Sequence, residues 1–222
     1  MIQNQLIIEF LRDLIANNDR DWFAANKDRY QTALEAFREE VAWLIGRIGE
    51  FDERIKYLSP NDCLFRIYRD VRFSHNKLPY KNHFGAYIAP NGGRKSSLSG
   101  YYFHLQPDAS FLSGGIYTPE PAALKQLRQS IDLHYDELVE ITSQRSFKKA
   151  FEGVVSPEVL KRVPTGFSSD SPAAELLKYK HFIVEHPLKD SQLCAADFGE
   201  KAVKVFRAMK PFNDFCNESL EQ

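Results

Sequence analysis

The sequence predicts an α+β fold, a central antiparallel sheet of about four to five strands flanked by N-terminal and C-terminal helices. Two observations predict it. Apolar residues recur at helical spacing toward both ends, and the middle breaks into short segments rich in rings and branched side chains, separated by turn chemistry.

At the N-terminal end, Leu6, Ile7, Phe10, Leu11, Leu14 and Ile15 give a short amphipathic helix over 5–16. Asn17, Asn18 or Asp19 caps the next helix, with Trp22 and Phe23 packing inward. The steps from Phe23 through Tyr30, Leu34, Phe37, Val41 and Leu44 to Ile48 keep one apolar stripe on a helix running to about Glu50. The segments "CLFRIY", "HFGAYIA", "GYYFHLQ" and "SFLSGGIY" read as strands. Asn91, Gly92 and Gly93 supply the positive φ values of a hairpin loop between the second and third. Alternation places Tyr101, Phe103 and Leu105 on one face and Tyr102, His104 and Gln106 on the other.

Helix resumes at "YTPEPAALKQL", with Thr118 as the expected N-cap and Pro119 and Pro121 in the first turn. Further helices are expected over 132–144 and 147–152, another from the Ser171-Pro172 start, a strand at "HFIVEHPL", and a last helix over 197–218 that kinks or breaks at Pro211. No repeat or linker divides the chain, so residues 1–222 are read as one α+β domain.

A formal charge of -1 argues against indiscriminate binding to DNA or anionic membranes, so any basic site must be local. No run approaches the roughly eighteen apolar residues of a membrane helix, and the start lacks the pattern of a signal peptide. Cys63, Cys194 and Cys216 are scattered and odd in number, as in a reducing cytosol.

Between Arg66 and His83 lie five basic residues, Arg66, Arg69, Arg72, Lys77 and Lys81, against one acid, Asp70. The pattern Arg66-x-x-Arg69-Asp70-x-Arg72-Phe73, then Asn76-Lys77-x-x-Tyr80, resembles the signature of a family of bacterial hypothetical proteins, domain of unknown function 2461. "NNDRDWFAANKDRY", "YKNHFGAYIAP", "GYYFHL", "SGGIYTP" and "PTGF" are similar to it in the same order. The family carries no established activity, so the resemblance implies a relative and a candidate site but no reaction.

Chemistry must therefore be argued from the side chains. Guanidinium forks match carboxylate and phosphate oxygens, and several together need an anionic counterpart. One reading is a site for a small anionic ligand, phosphate or carboxylate. A bend near Asp70 would let Arg66, Arg69 and Arg72 converge on the anion, while Lys77 and Lys81 add charge. Asp70, Tyr80 and His83 are then the candidate catalytic groups, with His104 joining if its strand lies alongside. The alternative is a structural network of ion pairs in a non-enzymatic scaffold or interaction protein. A further alternative is a single-stranded nucleic-acid module, since rings stand beside cations, although the basic-glycine-aromatic order of RNA-binding strands is missing. Gly114 and Gly115 before a helix start suggest a second anion contact, or simply a bulge. No hydrolase, zinc-protease, P-loop or dinucleotide fingerprint occurs, and His181 and His186 lie five apart in a strand, on opposite faces. No cofactor or metal is expected. Oligomeric state, substrate and whether the chain is an enzyme are open at this level.

Overall fold

A computed structural model describes residues 4–72 and 75–221. Helix α1 spans Asn4–Ala16, α2 Arg20–Ala25 and α3 Lys27–Ile48. Asp19 is the cap, its carboxylate accepting from Trp22 N–H at 2.8 Å. The long helix expected from Phe23 onward is thus divided at Asn26, whose side-chain amide returns to the Trp22 carbonyl. Beyond the short helix α4 (Pro60–Cys63), the sheet comprises β1 (Phe84–Ile88), β2 (Gly100–Leu105), β3 (Ser110–Ile116) and β4 (Phe182–Leu188). They are antiparallel neighbours in the order β1-β2-β3-β4. Between β3 and β4 run α5 (Pro121–Leu133), α6 (Tyr135–Ser143), α7 (Arg145–Ala150) and α8 (Ala174–Leu177). The short α9 (Asp190–Leu193) leads to α10 (Phe198–Glu218).

Alternation decides which face is covered. Phe84, Ala86, Ile88, Tyr101, Phe103, Leu105, Leu112 and Val184 are buried against α1, α3 and α10. The Phe103 ring lies 5.4 Å from Phe37 of α3 and 5.7 Å from Phe198 of α10. Asn91, Gly92 and Gly93 adopt positive φ, as the hairpin requires.

Two local expectations fail, and a third fails in part. "CLFRIY" is no regular strand: Cys63 ends a helix, Leu64 and Phe65 reach β1 through an isolated bridge to Ala86 and a hydrogen bond to Gly85, and Tyr68 bridges to Tyr80 ahead of β1. Thr118 takes φ of 52° and leaves the cap to Glu120, with Pro121 at the first helical position. Helix α10 does not break at Pro211: it continues through it, packed on the sheet, to Glu218.

One carboxyl is sealed among the helices. Glu40 of α3 is buried, receives Asn4 Nδ2 at 3.4 Å, and is pushed up to about 8 by desolvation. Its second oxygen and the Asn4 carbonyl oxygen have no other partner among the described residues, the arrangement a protonated carboxyl donating to an amide would satisfy. Among the described residues no helix is long and apolar enough to cross a membrane.

Candidate functional site

The basic segment lies along the free edge of β1. Phe65 N–H donates to the Gly85 carbonyl at 2.9 Å, Lys81 N–H to Ile67 at 2.8 Å, and Arg69 N–H to Pro79 at 2.9 Å. Residues 64–69 and 79–86 thus run side by side, and the described residues between them project as a loop. Its position is set from the start of α2: the Asn18 side chain accepts from Tyr80 N–H and donates to Tyr80 C=O, each at 3.1 Å.

This layout separates the candidate residues into two groups. In the loop, Arg72 grips Asp70 with two bonds, Nε to Oδ1 at 3.0 Å and Nη2 to Oδ2 at 2.7 Å. That grip holds the Asp70 carboxyl below its ordinary range, with the Arg66 charge a lesser cause. Arg69 Nη1 donates to the Leu78 carbonyl and Lys77 Nζ to Val71, both at 3.0 Å. Arg20 and Lys77 line an open groove of about 580 Å³ between the start of α2 and this loop. Phe73 of the sequence motif lies outside the described residues. The Tyr80 ring turns to the helices, buried and stacked 4.0 Å from Phe23, and burial raises its phenol pKa.

The second group occupies the outer face of the sheet, opposite the helix-covered core. Register puts Gly85 beside His104 and His104 beside Phe111. His104 is buried and flanked by the rings of His83 at 4.2 Å and Phe111 at 4.5 Å. Its Nε2 meets Gln106 Oε1 at 3.1 Å and its Nδ1 the Tyr102 hydroxyl at 2.9 Å. The glutamine oxygen can only accept, so Nε2 carries the proton and Tyr102 donates to Nδ1. Glycine at 85 makes this geometry available: a Cβ there would stand 2.8 Å from the Tyr102 oxygen.

His83 is arranged differently. Its Nδ1 meets Asn82 Oδ1 at 3.0 Å, which places the proton on Nδ1 and leaves Nε2 a bare acceptor on a partly exposed ring. Burial first, then His104 and Lys81, push His83 down to about 3, and burial also lowers His104, so both imidazoles are neutral. Lys81 lies beside them with its ammonium 5.4 Å over the Phe65 ring, and Phe65 in turn meets Tyr102 edge-on at 6.2 Å. Burial and the neighbouring Arg66 lower the Lys81 pKa. Neither Arg66 nor Lys81 makes an ion pair with a described residue. Glu185, the acid of this face, sits on β4 opposite Ser113, two strands from Tyr102.

Lys81, His83 and His104 from the sequence reading therefore come together, with the Arg66 charge felt at both Lys81 and Asp70, whereas Asp70, Arg72, Arg69, Lys77 and Tyr80 are engaged elsewhere. Sequence reasoning passed over Phe65, Asn82, Tyr102 and Gln106, although the β2 alternation had placed Tyr102 and Gln106 on the face of His104. The glycine pair gives no second contact, since Gly115 N–H already donates to Asn213 Oδ1 at 2.8 Å. His181 receives Thr118 N–H and His186 contacts the Ala150 carbonyl. Among the described residues no group of three or more His, Cys, Asp or Glu side chains could hold a metal ion.

The fold defines a mixed helix-and-sheet protein with a polar, ring-stacked cluster on the side of an antiparallel sheet away from its helices. The family model described as "Conserved hypothetical protein (DUF2461)" matches residues 6–215, and the chain belongs to that family. No curated protein and no solved structure matches it.

Proposed function

We propose that the outer-face cluster binds a small anionic ligand, its phosphate or carboxylate group seated on Arg66 and Lys81 beside His83. The observation that carries this reading is Lys81. A partly buried ammonium, destabilised by desolvation and by a neighbouring guanidinium, has no carboxylate of a described residue within ion-pair reach. Such a charge calls for an anion from outside. Asp70, the acid closest in sequence, is committed to Arg72. If the ligand is a substrate, His83 is the group placed to take a proton from it, because Nε2 is a bare acceptor. The loop supports a second, more modest reading for its own residues. Asp70, Arg72, Arg69 and Lys77 staple the described part of the loop to itself and to the backbone.

Calorimetric titration with inorganic phosphate separates the two groups. Lys81→Ala should lower affinity by about tenfold or more with its melting temperature kept, whereas Arg72→Ala should stay within about twofold of the parent. Equal binding by Lys81→Ala and the parent protein would overturn the assignment.

A further inference from the structure

We propose that the ligand of this face, resting on the anion-binding reading above, is a dianion of the phosphomonoester or inorganic phosphate class, and that its binding loads a proton from solvent onto Nε2 of His83.

Charge selects the class. Lys81 has no ion-paired acid among the described residues, and a protonated His83 beside it makes a second positive charge, so a carboxylate would leave one unmatched while a dianion answers both. Shape agrees, because a tetrahedral oxyanion offers separate oxygens to a guanidinium, an ammonium and a ring nitrogen.

The proton is dictated by the tautomer. Asn82 holds the His83 proton on Nδ1, so Nε2 presents a lone pair on the same side of the sheet as Lys81. An anion oxygen against that lone pair is repelled; against an N–H it is bound. The groups facing His83 are Lys81 and Asn82 from its own segment and His104 and Gln106 from β2, with Arg66 beyond Lys81, and none is negative. Burial is the first cause of the ring's neutrality and the positive field of His104 and Lys81 the second; a bound dianion reverses the sign of that field and gives the protonated ring a negative partner. His104 has both nitrogens hydrogen-bonded within the protein, to Gln106 and Tyr102, so a proton there would give the ligand no N–H to meet. One proton leaves solvent, His83 becomes imidazolium, and the ligand keeps both negative charges.

Sulfate tests this, since it stays dianionic near neutrality and brings no titrating proton of its own. Calorimetry near pH 6, in buffers of contrasting ionisation enthalpy, should show net proton uptake on sulfate binding. His83→Gln should still bind sulfate, more weakly, with that uptake abolished. Sulfate binding without uptake, or uptake unchanged in His83→Gln, overturns the proton step. Acetate binding as tightly as sulfate overturns the dianion class. If sulfate, phosphate and acetate all fail to bind, the anion-binding reading itself falls.

Discussion

The two faces of the sheet are made by the same strands and obey different rules. On the helix side Tyr101, Phe103 and Leu105 are fully buried, and the polar groups that do enter are answered within the protein, as Tyr101 is by Asp52 at 2.9 Å. On the outer side, one residue along, Tyr102 and His104 bond to each other, while Lys81 and His83 keep charge and lone pair unanswered among the described residues. One face commits its side chains to internal packing, and the other carries a cation without an ion-paired acid and an imidazole nitrogen without a hydrogen-bond partner among the described residues.

The most disruptive way to break that contrast is Phe103→Ala, which should cost about 3–5 kcal/mol in denaturant unfolding because rings from α3 and α10 close on that site. A loss below about 1 kcal/mol would mean the helix side is not the main core. Next comes Glu40. Its folded-state pKa stands above the unfolded value, so the protonated carboxyl's contribution is fully present below about 4.5 and is lost as pH rises toward about 8. Glu40→Gln, which needs no proton, should match the parent at acid pH and exceed it by up to about 4 kcal/mol at pH 8, at about 1.4 kcal/mol per unit. Parallel stability curves for the two proteins would refute the buried acid. The smallest effect belongs to the outer face: Tyr102→Phe, losing one partly exposed hydrogen bond to His104, should cost about 1 kcal/mol or less. A larger loss would place Tyr102 among the structural residues and erase the distinction between the faces.

Much of the architecture was legible because its causes are local. The β2 alternation, the positive-φ hairpin and the Asp19 cap each arise from neighbouring residues, and each is present. The features that escaped are set at a distance. "CLFRIY" has strand composition, yet a Ser-Pro helix start precedes it and one isolated bridge and one hydrogen bond tie the rest to β1. The arginine segment looked like one site, since spacing cannot show that Asp70 turns back on Arg72 or that Arg69 reaches Leu78. The meeting of His83 with His104 depended on pairing between β1 and β2, a register that composition suggests but does not specify.

The Asn18 amide, reading both backbone groups of Tyr80, is a coupling pin. Tyr80 is followed directly by Lys81, so the corner between α1 and α2 helps to hold the backbone that carries the outer-face ammonium. The Asn18 amide at one residue and the Ile67 carbonyl at the next thus fix the stretch of backbone from which that cation rises.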